Sequence, residues 1–446
     1  MRIPFLRTTL AISLAAASTY TLANGLAINE QSASGAGTAY AGRASSALDA
    51  STIYGNPAGL SKLKGTQVSG GMAAVHANVD IKQTNDGHPF NGKGRNKGDM
   101  VPFAAVPFGY FSSEIDENWA VGLGVYVPFG VISDYEKDFA GRSQGLYSEV
   151  RVITVQPTVS YKFNDRISVG FGPTINRIDG ELTRNIDMQA ASAAASQQVG
   201  QPIKFAEGKS KVKGDDMGYG YNLGVMIDLS DRTTWGLTYH SKVKYKLKGD
   251  ITVSGLNPIF VGSAQAQGNN IKNGKFKGTL DFTTPESIDT SVTHKLNDQW
   301  TVHAGATWTR WSRLEKIEPL SKYNEIDTSS SKEELKWADT WSFSAGAEYQ
   351  LNPEVALRAG LAWDESPTNN DYRNVRIPVS DRMIFGMGVG WKATDNLTVD
   401  AAYAYIKERE GKVKREFDAS SPTHAAYSAK YKNSAHGLTA SATYRF

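Results

Sequence analysis

An all-β fold, a transmembrane antiparallel β-barrel of about fourteen strands with an N-terminal hatch in its lumen, is predicted for this 446-residue chain. Three observations predict it. Apolar residues alternate with Thr, Ser and Gly at period two in segment after segment. The connections between those segments are short and long in strict turn. A stretch of roughly forty residues ahead of the first strand does not alternate at all.

Composition bounds the alternatives. The hydrophobic fraction is 40% and the mean hydropathy -0.38. That is too polar for a bundle of membrane helices, and beyond residue 23 no apolar run reaches the roughly 18 residues a spanning helix needs. A barrel strand shows lipid only one side, so its apolar residues are diluted about one in two. The 43 Gly, 20 Tyr, 17 Phe and 9 Trp suit twisted strands with aromatic girdles. There is no cysteine, which excludes disulfides, thiolate metal sites and a thiol nucleophile. The net charge of +3 gives no footprint for nucleic acid.

The first element is a processing segment over residues 1–23. Arg2 and Arg7 precede the apolar run from Leu10 to Ala17, and Thr21-Leu22-Ala23 is a small-residue exit, which places cleavage after Ala23. Residues 24–65 follow as a hatch. Small residues dominate through Ala50, while Leu26, Ile28, Tyr40, Ile53, Tyr54 and Leu60 supply apolar anchors that a disordered leader lacks.

Residues 66–446 form the barrel. Its strands are expected at 66–82, 101–114, 118–129, 147–163, 167–186, 214–229, 232–254, 276–295, 299–316, 337–351, 355–365, 380–393, 397–411 and 431–446. Trp300, Val302, Ala304, Ala306 and Trp308 alternate with Thr301, His303, Gly305, Thr307 and Thr309, with tryptophans at both ends where headgroups lie. Asn164-Asp165, Ser230-Asp231, Asn297-Asp298, Asn352-Pro353 and Thr394-Asp395-Asn396 are tight polar turns. Long connections at 83–100, 130–146, 187–213, 255–275, 317–336 and 412–430 lie between them. In the last strand Leu438, Ala440, Ala442, Tyr444 and Phe446 share one face. The terminal Phe446 looks like the signal that bacterial outer-membrane proteins present to the barrel-assembly machinery.

The chain resembles the FadL-type outer-membrane transporters of long-chain fatty acids and related hydrocarbons. Gly25-Leu26-Ala27-Ile28-Asn29-Glu30, the run Ser34 to Gly42, and Asn56-Pro57-Ala58 carry the likeness at the N-terminus. Thr309-Arg310-Trp311-Ser312, Asp364-Glu365-Ser366-Pro367, Ile377-Pro378 and Asp381-Arg382 carry it further on, in order and spacing. The resemblance implies a monomeric fourteen-stranded barrel in the outer membrane and a hatch that includes Asn29, Glu30, Asn56, Pro57 and Ala58. It also implies a hydrophobic ligand caught at the outer loops, moved to a deeper site, and released sideways through a kink in strand three.

Local chemistry adds candidates. Pro128 cannot donate to a sheet ladder and Gly130 weakens pairing, so Pro128, Phe129 and Gly130 are expected to frame the lateral opening; the bland reading is that strand three ends there. A carboxylate buried among apolar groups needs a cation. Arg177 and Arg184 on strand five and Lys316 at the end of strand nine are the candidates, near the positions that the resemblance assigns to the ligand's head. The directly matching positions hold Leu182 and Glu318, which leaves room for a neutral ligand such as a monoaromatic hydrocarbon. The Ala-rich loop 187–213 is expected to be helical and to form an outer groove with loop 130–146, using Phe139 and Leu146. Gly141-Arg142-Ser143-Gln144-Gly145 fits G-x-S-x-G but lies in a long loop, not a strand–turn–helix, so a lipid hydrolase is disfavoured. An adhesin with ligand-binding outer loops is the other competing class. No cofactor and no metal spacing such as H-E-x-x-H is expected among the seven histidines.

Overall fold

The computed structural model describes residues 25–84, 87–98, 100–419 and 421–446, so the expected leader at residues 1–23 lies outside the described residues. Fourteen antiparallel staves close on themselves. They are β1 (Thr66–Gln83), β2 (Ala104–Glu114), β3 (Trp119–Asp134), β4 (Tyr147–Lys162), β5 (Ile167–Ile186) and β6 (Gly208–Ser230). Next come β7 (Thr233–His240 and Val243–Ser254), β8 (Gly274–Thr284 and Ser287–Lys295), β9 (Trp300–Thr309) and β10 (Thr340–Gln350). The circuit ends with β11 (Val355–Asp364), β12 (Arg382–Lys392), β13 (Leu397–Glu408 and Gly411–Arg415) and β14 (Tyr427–Arg445). The seam pairs β1 with β14 from Gln67↔Arg445 to Gln83↔Ala429, so the first and last strands leave little free edge.

Turn chemistry fixes the short ends. Asp116, Asn164, Asn297 and Asn352 each accept two backbone N–H bonds with one side-chain oxygen, at 2.8–3.0 Å, which closes the chain over two or three residues. Outward residues beside these turns are aromatic: Trp119 packs on Tyr161 at 4.6 Å and Trp300 on Tyr349 at 4.8 Å between ring centroids. On β6 the outward ladder from Met217 through Tyr219, Tyr221 and Leu223 to Leu229 is exposed and mostly apolar. Thirteen tilted residues of this kind reach about 30 Å, the height of a lipid core.

Several strands run differently from expectation. β3 continues to Asp134, past Pro128, because a bulge absorbs the proline. β6 starts at Gly208, since its outer part carries lysines that mask the alternation. β7, β8 and β13 are each broken once; in β8 the break falls at Pro285, which has no N–H to donate. β9 stops at Thr309, because Trp311 turns inward to full burial, and its ring meets Gly25.

The outer mouth is filled by side chains from loops. Tyr135 stacks on Phe139 at 3.8 Å, and Tyr427 and Tyr431 are fully buried beside them. Phe139 and Leu146 therefore serve this plug of packed loops and not a surface groove. The Ala-rich loop does form a helix, α3 (Gln189–Val199), but it shares an apolar cluster with α4 (Pro258–Ala266) of the next long loop.

Candidate functional site

Inside the barrel, residues 25–63 pack against the wall with little regular structure: α1 (Ala33–Ala36), α2 (Thr52–Gly55) and a 3₁₀ turn, Pro57–Lys62. Close approach is possible because the wall presents glycine where the hatch backbone passes. A Cβ on Gly170 or Gly224 would overlap the Asn56-Pro57-Ala58 turn, and one on Gly236, Gly305 or Gly360 would overlap the Ala44, Ala41 or Thr38 backbone. Asn56 is fully buried. Its Oδ1 accepts from Ala58 N at 3.0 Å, and its Nδ2 donates to the Ala44 carbonyl at 2.6 Å and to the Val225 carbonyl of β6 at 2.9 Å. Asn56, Pro57 and Ala58 thus form one clip to the wall.

Glu30 is buried, with Oε2 lacking a hydrogen-bond partner among the described residues. Burial raises its carboxyl above the ordinary value of 4.5, and nearby Arg382 only partly opposes this. Asn29 accepts from the Arg43 guanidinium at 3.0 Å. Arg43 also grips Asp289 of β8 at 2.8 and 3.1 Å and lies between the rings of Tyr40 and Tyr54. Burial works against its charge, but Asp289 outweighs burial and holds it firmly cationic.

The wall is interrupted at the kink. β2 and β3 pair only from Glu114↔Ala120 to Gly109↔Val125; beyond Val125, β3 leaves β2. Its register on β4 then slips between Tyr126↔Thr154 and Phe129↔Val152, one extra residue on β3. The free edge of β3 is taken up by the hatch. Ile28 N donates to the Pro128 carbonyl at 2.9 Å, Gly130 N donates to the Leu26 carbonyl at 2.8 Å, and Ala27 pairs antiparallel with Phe129. The buried Gln31 amide donates to the Val127 carbonyl at 2.5 Å and accepts from Val127 N at 3.4 Å, much as a neighbouring strand would.

Two cavities lie behind this point. The deeper one is lined by Pro128 and Phe129, by Arg43 and Tyr54, and by Thr174, Asn176, Asn222 and Tyr245. The outer one is lined by Val150, Ile178, Leu182, Leu247, Phe282 and Ile317. They follow each other down the same inward ladders. On β5 the order is Ile178, Asn176, Thr174; on β7 it is Leu247, Tyr245, Val243; on β8 it is Phe282, Thr284. Apolar surface above gives way to a mixed surface below, where hydroxyl and amide groups join the apolar side chains.

The three expected head-group cations do not converge. Arg177 faces outward on β5, since alternation puts Asn176 and Ile178 on the lumen side, and it pairs with Asp179 and Asp215. Arg184 is inward and buried, bonded to Ser330 and to the Thr423 carbonyl in the outer plug. Lys316 lies in the loop beyond β9 and not at its end, paired with Glu318. Ser143 is buried and accepts from Ala425 N at 3.0 Å, which ties two outer loops together. Among the described residues no three His, Asp or Glu side chains are placed to hold a metal.

Sequence reasoning missed Arg43, Gln31 and Asp289. Their partners are 96 to 246 residues away, so no local pattern marks them. A charged residue in a stretch of Gly, Ala and Ser was the one available signal for Arg43.

Comparison with known proteins agrees with this geometry. The family described as "Outer membrane protein transport protein (OMPP1/FadL/TodX)" matches residues 14–446. A putative outer membrane protein of Neisseria meningitidis serogroup B is 32% identical, over 99% of this chain and 98% of its own. The long-chain fatty acid transport protein of Escherichia coli K12 is 26% identical, over 92% and 93%. The crystal structure of a Pseudomonas aeruginosa FadL homologue superposes with a TM-score of 0.82 at 26% identity, covering 95% of this chain and all of that one. The toluene transporter TodX of P. putida shares the fold at a TM-score of 0.67, with 17% identity.

Proposed function

Since the chain belongs to the FadL/TodX family of outer-membrane transport proteins for hydrophobic compounds, we propose that it imports long-chain fatty acids by lateral release. The carrying observation is the succession of an apolar outer cavity and a deep cavity of mixed polar and apolar lining that ends at Pro128 and Phe129. Such a pair suits an amphiphile, whose tail and head need different surroundings. The ligand first meets the apolar ground between α3 and α4, where Val199 and Ile259 are exposed and Phe205 faces Phe260. It then passes down the ladders of β5, β7 and β8. The hatch withdraws Leu26–Ile28 from the free edge of β3, and the ligand leaves between β2 and β3 through the gap framed by Pro128, Phe129 and Gly130. The protein works as a monomer, and Phe446 serves its assembly.

Uptake of monoaromatic hydrocarbons along the same path is the second reading. It is favoured by the charge balance of the cavity, where Arg43 is already neutralised by Asp289 and Arg177, Arg184 and Lys316 do not converge. Growth of a gene deletion strain on oleate and on monoaromatics separates the two. Loss of growth on oleate, restored by the gene, supports fatty-acid import; loss confined to monoaromatics supports the alternative. Equal binding of oleate and its methyl ester by the purified protein would remove any carboxylate clamp.

A further inference from the structure

On β6, the outward ladder changes character abruptly. Below Asp215 it is Met217, Tyr219 and Tyr221, with Tyr219 73% exposed; above, it is Lys213, Lys211 and Lys209. β7 does the same one strand away. Tyr239 ends the apolar part, and Lys244, Lys246 and Lys248 then occupy successive outward positions, each exposed, while Val243, Tyr245 and Leu247 point into the lumen.

Height follows from register. Leu223 pairs with Tyr239 and Asp215 pairs with Lys248, so Lys244 and Lys246 lie beside Met217 and Tyr219, at the rim of the lipid-facing band. The neighbouring lysines are mostly committed. Lys211 and Lys213 pair with Glu181, and Lys275 and Lys277 pair with Asp250. Among the described residues no carboxylate lies within 4 Å of the Lys244, Lys246 or Lys248 ammonium groups. Asp281 stands opposite Lys246 and Asp215 opposite Lys248, neither at ion-pair distance, while Lys244 faces Thr283. Three cations at alternate positions of one strand repel each other and are only partly offset by these two carboxylates. Their long stems can follow the apolar rim and present the ammonium groups at headgroup depth.

We infer that Lys244, Lys246 and Lys248 form a docking surface for the phosphate groups of the outer-leaflet glycolipid. The phosphates supply anions within reach of all three ammonium groups, and the acyl chains of the same molecule lie on Met217, Tyr219 and Tyr221 below. The surface continues the lipid-facing wall of the barrel and needs no separate cleft.

The test uses the full-length protein in detergent, titrated in native mass spectrometry with diphosphoryl lipid A, monophosphoryl lipid A and inorganic pyrophosphate. The wild type is expected to hold the diphosphoryl lipid more tightly than the monophosphoryl one and to hold pyrophosphate hardly at all. The Lys244→Gln/Lys246→Gln/Lys248→Gln variant is expected to lose on the order of a hundredfold in affinity for the diphosphoryl lipid. A triple Lys→Arg variant is expected to retain it. Lys64→Gln/Lys162→Gln/Lys392→Gln, the same change of charge at the short-turn end, is expected to leave it intact. Heat-modifiable gel mobility verifies that each barrel is folded. Equal binding by the first variant and the wild type overturns the inference, as does equal affinity for the two lipids. Pyrophosphate bound as tightly as the lipid overturns it too, because it would mean a free-anion site.

Discussion

Replacing Gly236 by alanine sets a methyl group against hatch backbone. A Cβ there would stand 2.5 Å from the Ala44 carbonyl carbon and 3.0 Å from Ser45 Cα, and neither atom belongs to a side chain that can swing away. Comfortable carbon contact begins near 3.5 Å, so this part of the hatch must retreat by roughly 1 Å. Such a shift strains three bonds: Asn56 Nδ2 to the Ala44 carbonyl at 2.6 Å, Ala44 N to Ser291 Oγ at 3.1 Å, and Ser45 Oγ to Thr293 Oγ1 at 2.7 Å. Each is worth about 1 kcal/mol, and overpacking adds about 1–3 kcal/mol. Docking is then weakened by roughly 4–6 kcal/mol, which multiplies the undocked population by about a thousandfold or more. The barrel itself keeps its ladders, since Gly236 pairs with Met226 and Ser291 through backbone that alanine tolerates. Planar-bilayer conductance is the assay: frequent large openings are expected for Gly236→Ala and rare ones for the wild type. Gly70→Ala, where the added Cβ meets nothing within 4 Å, is the control. A folded Gly236→Ala barrel as quiet as the wild type would refute the docking argument.

Other outcomes follow from the same contacts. Gln31→Ala leaves the Val127 N–H and carbonyl without their side-chain partner and should weaken the latch by about 2–3 kcal/mol; faster amide exchange at Ile28 and Gly130 checks it, and unchanged protection would contradict it. Glu30 has a raised pKa, so its contribution to hatch docking is fully present below the ordinary value of 4.5 and fades as pH rises through the raised folded value. Conductance openings should therefore become more frequent as pH rises above that range, and Glu30→Gln should flatten the profile. Arg382→Met strands the Asp364 carboxylate, whose buried pair lies at 2.5 Å, and should cost about 3–5 kcal/mol in urea unfolding from vesicles.

The barrel was legible because its physics is local. Alternation with period two reports the two sides of each stave, and the Asn and Asp residues of the short turns report chain reversal by their own side chains. The end of β9 was not legible, since Trp311 turns inward to meet Gly25, almost three hundred residues earlier in the chain. The course of β3 past Pro128 was hidden for a similar reason. A proline ends most ladders, but here the hatch supplies hydrogen bonds that β2 no longer provides. The kink residues Pro128, Phe129 and Gly130 could be named from composition; that Leu26–Ile28 pairs with them could not. Arg177 was misplaced because charge type is visible in a sequence while the facing of a side chain depends on register. Arg177 is one residue from the lumen-facing Asn176 and Ile178, and that single step puts it on the outside.

The most direct test of lateral release locks the latch. Ala27 and Phe129 are antiparallel partners flanked by the Ile28–Pro128 and Gly130–Leu26 bonds, a closely spaced pair whose geometry suits a disulfide. The chain has no cysteine of its own, so Ala27→Cys/Phe129→Cys introduces one defined bridge. Uptake of labelled oleate by cells carrying this variant should stop under oxidant and return on addition of reductant. Uptake at the wild-type rate with the bridge formed would contradict release between β2 and β3.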